Sequence, residues 1–376
     1  MSVVFICVVA VRLIVPLTIP KYPLPGIIGS FVADAVDQTV FQTFGGLPSN
    51  YEAYDKALDL YYQVIAYTSM LRNWTDPRAF VIGRFLWYYR LVGTVAFELS
   101  GAGALLLVFP NTFEYFFMAY EIVRVRWRPD RLSRRALLGL AAFIWIVIKL
   151  PQEYWIHVAD LDFTDECARH SWLLPAVIAF SVVVLGAVVV SWPHLPARDW
   201  KPTVAVDAHR PHWEVAGPSP RAVLRTPFWP TLAEKVVLVG LISVVFAHVL
   251  NVQATTLQVT IGVAGFVAVN AAVSHAFVVR GHRWHTAVTQ FVAMTAINVG
   301  ALLTFVLVRD RLHADLNPRN TLFLVLLMSL LITLYDRYRT MQERRIDRAE
   351  YLARFHPATA QPPFGPSKPV AAERTA

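Results

Sequence analysis

Four aspartates are the residues in this chain best placed by type and spacing to do chemistry. Asp34 and Asp37 stand three apart, Asp55 and Asp59 four apart, so each pair falls on one face of a helix. Between the pairs lies Phe44-Gly45-Gly46-Leu47-Pro48-Ser49-Asn50, whose glycines and proline mark a turn. Two helices running antiparallel from that turn bring all four carboxylates within roughly 6 to 15 Å of it, at ~1.5 Å rise per residue. Carboxylates gathered in this way suit a hard cation such as Mg²⁺, Mn²⁺ or Ca²⁺, and one of them can take a proton from an acceptor hydroxyl.

The elements that must carry them are apolar. The chain has 376 residues, of which 56% are hydrophobic and only 16% charged, with a mean hydropathy of +0.47, too apolar for a soluble globular protein. The fold expected is an all-α integral membrane protein, a polytopic bundle of about 10–11 transmembrane helices. Apolar windows fall near 2–20, 24–43, 51–72, 79–99, 103–123, 136–156, 172–192, 232–251, 257–279, 287–308 and 319–337. The first contains Arg12 and lacks the charged start and cleavage site of a signal peptide, so it reads as a spanning helix. Four regions follow: a charge-rich bundle of about seven helices over 1–192, a cytoplasmic linker rich in Pro, His and Arg over 193–230, an apolar bundle of about four helices over 231–337, and a basic helix with a disordered tail over 338–376.

Net charge is +8, but the arginines concentrate in loops between apolar windows, as the positive-inside bias requires. The basicity therefore reads as topology, and no nucleic-acid partner is expected. The dense loop Arg124 to Arg135 is cytoplasmic on this count and the acidic loop Asp160 to Glu166 outside, giving an outer N-terminus and a cytoplasmic C-terminus in the plasma (inner) membrane. Cys7 and Cys167 are the only cysteines, too few and too far apart for a zinc or disulfide framework.

Further charges fall inside the early windows. Glu98, Lys149 and Glu153 share the outer half with the aspartates, and Arg90 and Glu114 lie nearer the midplane. Pro110-Asn111-Thr112 interrupts one window and Leu150-Pro151-Gln152 another, each proline removing a backbone donor and freeing a carbonyl. Broken helices beside buried charge predict a net acidic polar cavity, with Arg90 and Lys149 available to a substrate phosphate and Glu114 and Glu153 also lining the substrate. The structural alternative is that Arg84 and Arg90 simply neutralise Asp34, Asp37 or Glu114.

The aspartate spacing resembles the signature of the CDP-alcohol phosphatidyltransferase family, over about 26 residues of the chain. There, two aspartates three apart are followed, after a turn, by two more four apart. Gln38, Phe41-Gln42 and Tyr51 stand here where the family has Gly, Ala-Arg and Gly. The resemblance implies Asp34, Asp37, Asp55 and Asp59 as metal ligands, Asp59 as general base, and Mg²⁺ or Mn²⁺ as cofactor. On this reading the protein is a metal-dependent transferase acting on a phosphorylated or lipid-linked substrate, with membrane lipid as its partner. The same residues also fit a cation- or proton-coupled transporter, or an accessory membrane subunit whose charge pairs specify assembly.

Overall fold

The computed structural model describes residues 3–44, 51–128, 131–157, 159, 161, 166–167, 169–199, 228–250, 256–279, 287–309 and 318–355. Among these the chain is helical almost throughout and contains no strand. The first apolar window becomes α1 (Val3–Ile14) and a short 3₁₀ turn (Val15–Thr18), and the next three become α2 (Pro23–Phe44), α3 (Tyr51–Asn73) and α4 (Pro77–Ser100). Punctuation in the sequence sets their ends. Asp76 accepts the backbone N–H of Arg78 and caps α4, with Pro77 in the first turn, and Gly101, at φ +68°, closes it; that left-handed backbone favours glycine.

The fifth window is split. α5 (Ala104–Val108) stops at Phe109-Pro110, and α6 (Thr112–Arg126) starts afresh, as Pro110 predicts. The sixth runs as α7 (Arg134–Phe143), a π-helical turn (Ile144–Lys149) and α8 (Leu150–His157). The π turn ends two residues before Pro151, whose missing N–H breaks the ordinary ladder. Then come α9 (Leu173–Ser191), α10 (Phe228–Val249), α11 (Thr256–Val279), α12 (Ala287–Arg309) and α13 (Pro318–Phe355). The last continues unbroken into the charged segment expected to extend it.

Among the described residues, three stretches are long and apolar enough to cross a membrane by length and composition: Arg134–Ile156, Thr231–Val249 and Asn320–Glu343. Val3–Thr18, Gly262–Val273 and Val288–Gly300 are shorter apolar helices. α3 is the axis of the molecule. From Leu60 to Asn73 its side chains are buried without a break, with α1, α2, α4, α6, α10 and α13 packed around it. The core it forms includes Tyr67 stacked on Trp87 and Trp74 stacked on Phe117. Outward-facing side chains are also apolar, among them Val81, Phe85 and Val92 of α4 and Ile146 and Val147 of the π turn. An axial helix carrying two aspartates at one end requires a partner for them.

Candidate functional site

That partner is Arg12. It is the buried residue of α1 and projects between α2 and α3, where its guanidinium contacts all four aspartates. One terminal nitrogen donates to Asp37 and, at 2.7 Å, to Asp55; the other donates to Asp34 and, at 2.8 Å, to Asp59. Each nitrogen thus bridges one carboxylate from each helix of the hairpin, a use of the guanidinium fork that an ammonium could not copy. Asp37 is the deepest, 1% exposed, and also accepts the Tyr51 hydroxyl at 2.5 Å. Phe5, Phe41, Tyr51 and Tyr54 form an aromatic wall beside it. The spacing that marked the four aspartates in the sequence therefore brings them together.

The structural alternative had Arg84 and Arg90 neutralise Asp34, Asp37 or Glu114, and the structure places both elsewhere. Arg84 pairs with Glu234 at 3.3 Å, and Arg90 donates to the Phe109 carbonyl at 3.0 Å, covering the end of the broken α5. Both lie further along α4, where they face α10 and the Pro110 break. Arg12 was legible as an unpaired charge in an apolar window, which must find carboxylates; its destination was not.

Four carboxylates against one guanidinium leave three formal negative charges. Lys56, 4.0 Å from Asp55, reduces the surplus to two. One ligand oxygen from each of Asp34, Asp55 and Asp59 lies within 4.8 Å of the others, a spacing that fits a hard cation bound through oxygen. Asp37 stands outside that trio. Arg12 contacts these three carboxylates as well as Asp37, so a metal there and the guanidinium compete for the same groups.

The remaining predicted residues form a second polar group one layer away. Tyr62, one turn beyond Asp59 on α3, approaches the Glu114 carboxylate of α6. Asn111 donates its side-chain amide to Glu114 at 2.7 Å and its backbone N–H to Glu153 at 3.2 Å. Lys149 ends the π turn with its ammonium 3.0 Å from Gln152 and 4.1 Å from the centre of the Tyr115 ring. Glu114, Glu153, Lys149 and Arg90 are each at most 5% exposed. Glu114, Glu153 and Lys149 thus gather at the two helix breaks, whereas Arg90 is turned to a backbone carbonyl.

A search against protein-family models, curated proteins and solved structures finds no match for this chain. The site must be read from its own chemistry.

Sequence reasoning missed a third group, because the later windows read as nearly free of charge. Glu234 of α10 accepts the Tyr67 hydroxyl at 2.6 Å and the Tyr88 hydroxyl at 3.3 Å, and Lys235 pairs with Asp336 at 2.7 Å. Asn270, Asn298 and Ser329 are hydrogen-bonded in series across α11, α12 and α13. Glu234-Lys235 opens an otherwise apolar window, and that placement was the available signal. These contacts join helices to one another.

Proposed function

We propose that this chain is a multi-pass membrane protein, with its N-terminus outside and its C-terminus cytoplasmic, and that its Arg12–aspartate centre is the exchangeable cation site of a cation- or proton-coupled transporter. The observation that carries this reading is the clasp itself. A permanent ion pair needs one carboxylate for one guanidinium, and the surplus here is stable in an apolar surround only when further positive charge, metal or proton, is taken up. The apolar outer faces of α1, α4, α9 and the π turn support contact with lipid along the molecule's sides.

The cycle follows from competition. A cation entering from the polar side takes oxygens of Asp34, Asp55 and Asp59, and Arg12 loses its partners. α1 is tied to the bundle by that one buried side chain, by the Tyr61 hydroxyl on the Leu13 carbonyl at 2.9 Å, and by the Phe5 ring contacts. Its attachment therefore depends on the charge state of the centre. The breaks at Pro110 and Pro151 provide backbone that can rearrange alongside.

A second reading, a metal-dependent transferase, is favoured by the Asp34, Asp55 and Asp59 oxygens converging within 4.8 Å. Those three would hold a divalent metal, which would neutralise substrate phosphate, and Asp59 would take the proton of the acceptor hydroxyl. One pair of measurements separates the readings. On proteoliposomes adsorbed to a sensor, a proton- or cation-concentration jump should give a transient charging current that disappears in Asp37→Asn/Asp59→Asn. Tight Mn²⁺ binding by paramagnetic resonance without any such current would select the transferase. Wild-type protein showing neither leaves the clasp a fixed structural ion cluster and ends the transport reading.

A further inference from the structure

The break between α5 and α6 leaves three buried oxygens without hydrogen-bond partners: Oδ1 of Asn111, Oγ1 of Thr112 and Oε1 of Glu114. They belong to residues 5%, 1% and 3% exposed, the N-cap Asn111 and two residues of the first turn of α6. An unpaired buried acceptor is costly, and three on one turn are rare in a settled interior. The Asn111 amide nitrogen donates to the other Glu114 oxygen at 2.7 Å, which leaves its Oδ1 as the amide atom without a partner. Tyr62 approaches the same carboxylate, yet Oε1 has no partner at normal hydrogen-bond geometry.

We infer that Asn111, Thr112 and Glu114 form a binding site for a monovalent alkali cation, sodium being the test ion, separate from the Arg12–aspartate centre. The donor chemistry sets the class of ligand. One carboxylate, one amide oxygen and one hydroxyl are hard oxygens carrying a single negative charge, too few charges to retain a divalent ion and no softer donor for a transition metal. Lys149 interacts with the carboxylates of Glu114 and Glu153 and with Arg90, while Asp59 belongs to Arg12. Lys149 does not fill the site, since its ammonium is directed to Gln152 and the face of Tyr115. The positive end of α6 opposes a cation, and Glu114 in the first turn reverses that field.

The inference rests on the transport reading only for its use: a sodium bound at a helix break one layer from the aspartates would be the coupling ion. The site itself stands on the three oxygens. Binding of radioactive sodium to purified protein, measured by scintillation proximity with choline as the replacing cation, tests it. Saturable binding should weaken about ten-fold in Thr112→Val, which removes one oxygen and keeps the shape, and be lost in Glu114→Gln. It should persist in Asp37→Asn/Asp59→Asn. Each variant is checked by gel filtration and thermal unfolding, and Thr112→Val serves where Glu114→Gln fails to fold. Binding abolished by the double aspartate variant and untouched by Thr112→Val would move the ion to the aspartate centre, overturning this site while leaving the transport reading intact. Wild-type protein that binds no sodium would also overturn it, water then satisfying the three oxygens.

Discussion

At the scale of single residues, the decisive one is Arg12. Removing it leaves four carboxylates facing one another without their shared cation, the case in which breaking a buried ion cluster is most costly, about 3–5 kcal/mol. Arg12→Ala should therefore lower the thermal unfolding midpoint of detergent-purified protein sharply, read by tryptophan fluorescence. Arg12→Lys should fall between, because an ammonium retains the charge and loses the two-nitrogen bridge across the hairpin. Asp37→Asn introduced into Arg12→Ala should recover part of the loss, since it removes one of the repelling charges and keeps the shape. An Arg12→Ala midpoint equal to wild type would mean that the clasp does not form. The sequence showed the four aspartates because helical spacing fixes which side chains share a face. It did not show Arg12 as their partner, because which helix lies against that face is decided by packing between elements far apart in the chain.

At the scale of elements, close approach is set by glycine. A Cβ added at Gly26 would lie 2.8 Å from the backbone of Ile19, and one at Gly93 would lie 2.1 Å from Cβ of Phe109, so neither neighbour can yield without moving main chain or a residue at the helix break. At Gly83 the obstructions are the tip of Met70, 2.6 Å away, which can swing aside, and the buried Trp74 ring, 2.9 Å away, which is held by Glu121. Gly139 meets nothing within 4 Å. Alanine substitution should accordingly lower stability by roughly 1–3 kcal/mol at Gly26, Gly83 and Gly93. At Gly139, inside α7, it should be neutral or stabilising by up to about 1 kcal/mol. Thermal unfolding of the four single variants checks the order, and a Gly93→Ala protein as stable as Gly139→Ala would contradict the packing at the Pro110 break. Element boundaries were largely legible: the apolar windows coincide with the helices to within a few residues, and Pro110 and Asp76-Pro77 cut where proline chemistry says they must. The π turn before Lys149 was not, because a change in hydrogen-bond pitch leaves no mark on apolar composition; yet that turn places Lys149 beside Tyr115 and Gln152.

At the scale of the whole molecule, the two ends of α3 are held by different chemistry. Its N-terminal end is held by charge through Arg12. The opposite end is held by α13, whose Arg345 donates to the carbonyls of Leu71, Arg72 and Trp74 at 2.7, 2.6 and 3.0 Å, satisfying acceptors that a helix C-terminus leaves open. Arg345 is separated from them by more than 270 residues, so no reading of local spacing could pair them; the basic extension of the last helix was visible, its function as a cap was not. Trp74 and Arg124 complete the junction through Glu121, at 2.6 and 2.7 Å. Together with the Tyr67 and Tyr88 bonds to Glu234, this ties the helices before residue 200 to those after 227. Chain continuity through that stretch should then be dispensable. Residues 1–199 with a purification tag, co-expressed with 228–376, should retain the second fragment through detergent extraction. Arg345→Ala leaves three carbonyls without a charged donor, a loss of roughly 3 kcal/mol, since single hydrogen bonds to charged groups contribute ~1.5–3 kcal/mol. The affinity between the fragments should fall about a hundred-fold in consequence, whereas Arg12→Ala, which acts within the first fragment at the far end of α3, should weaken the retained pair much less. Fragments that fail to co-purify, or that separate equally on either substitution, would show that α3 is not held independently at its two ends.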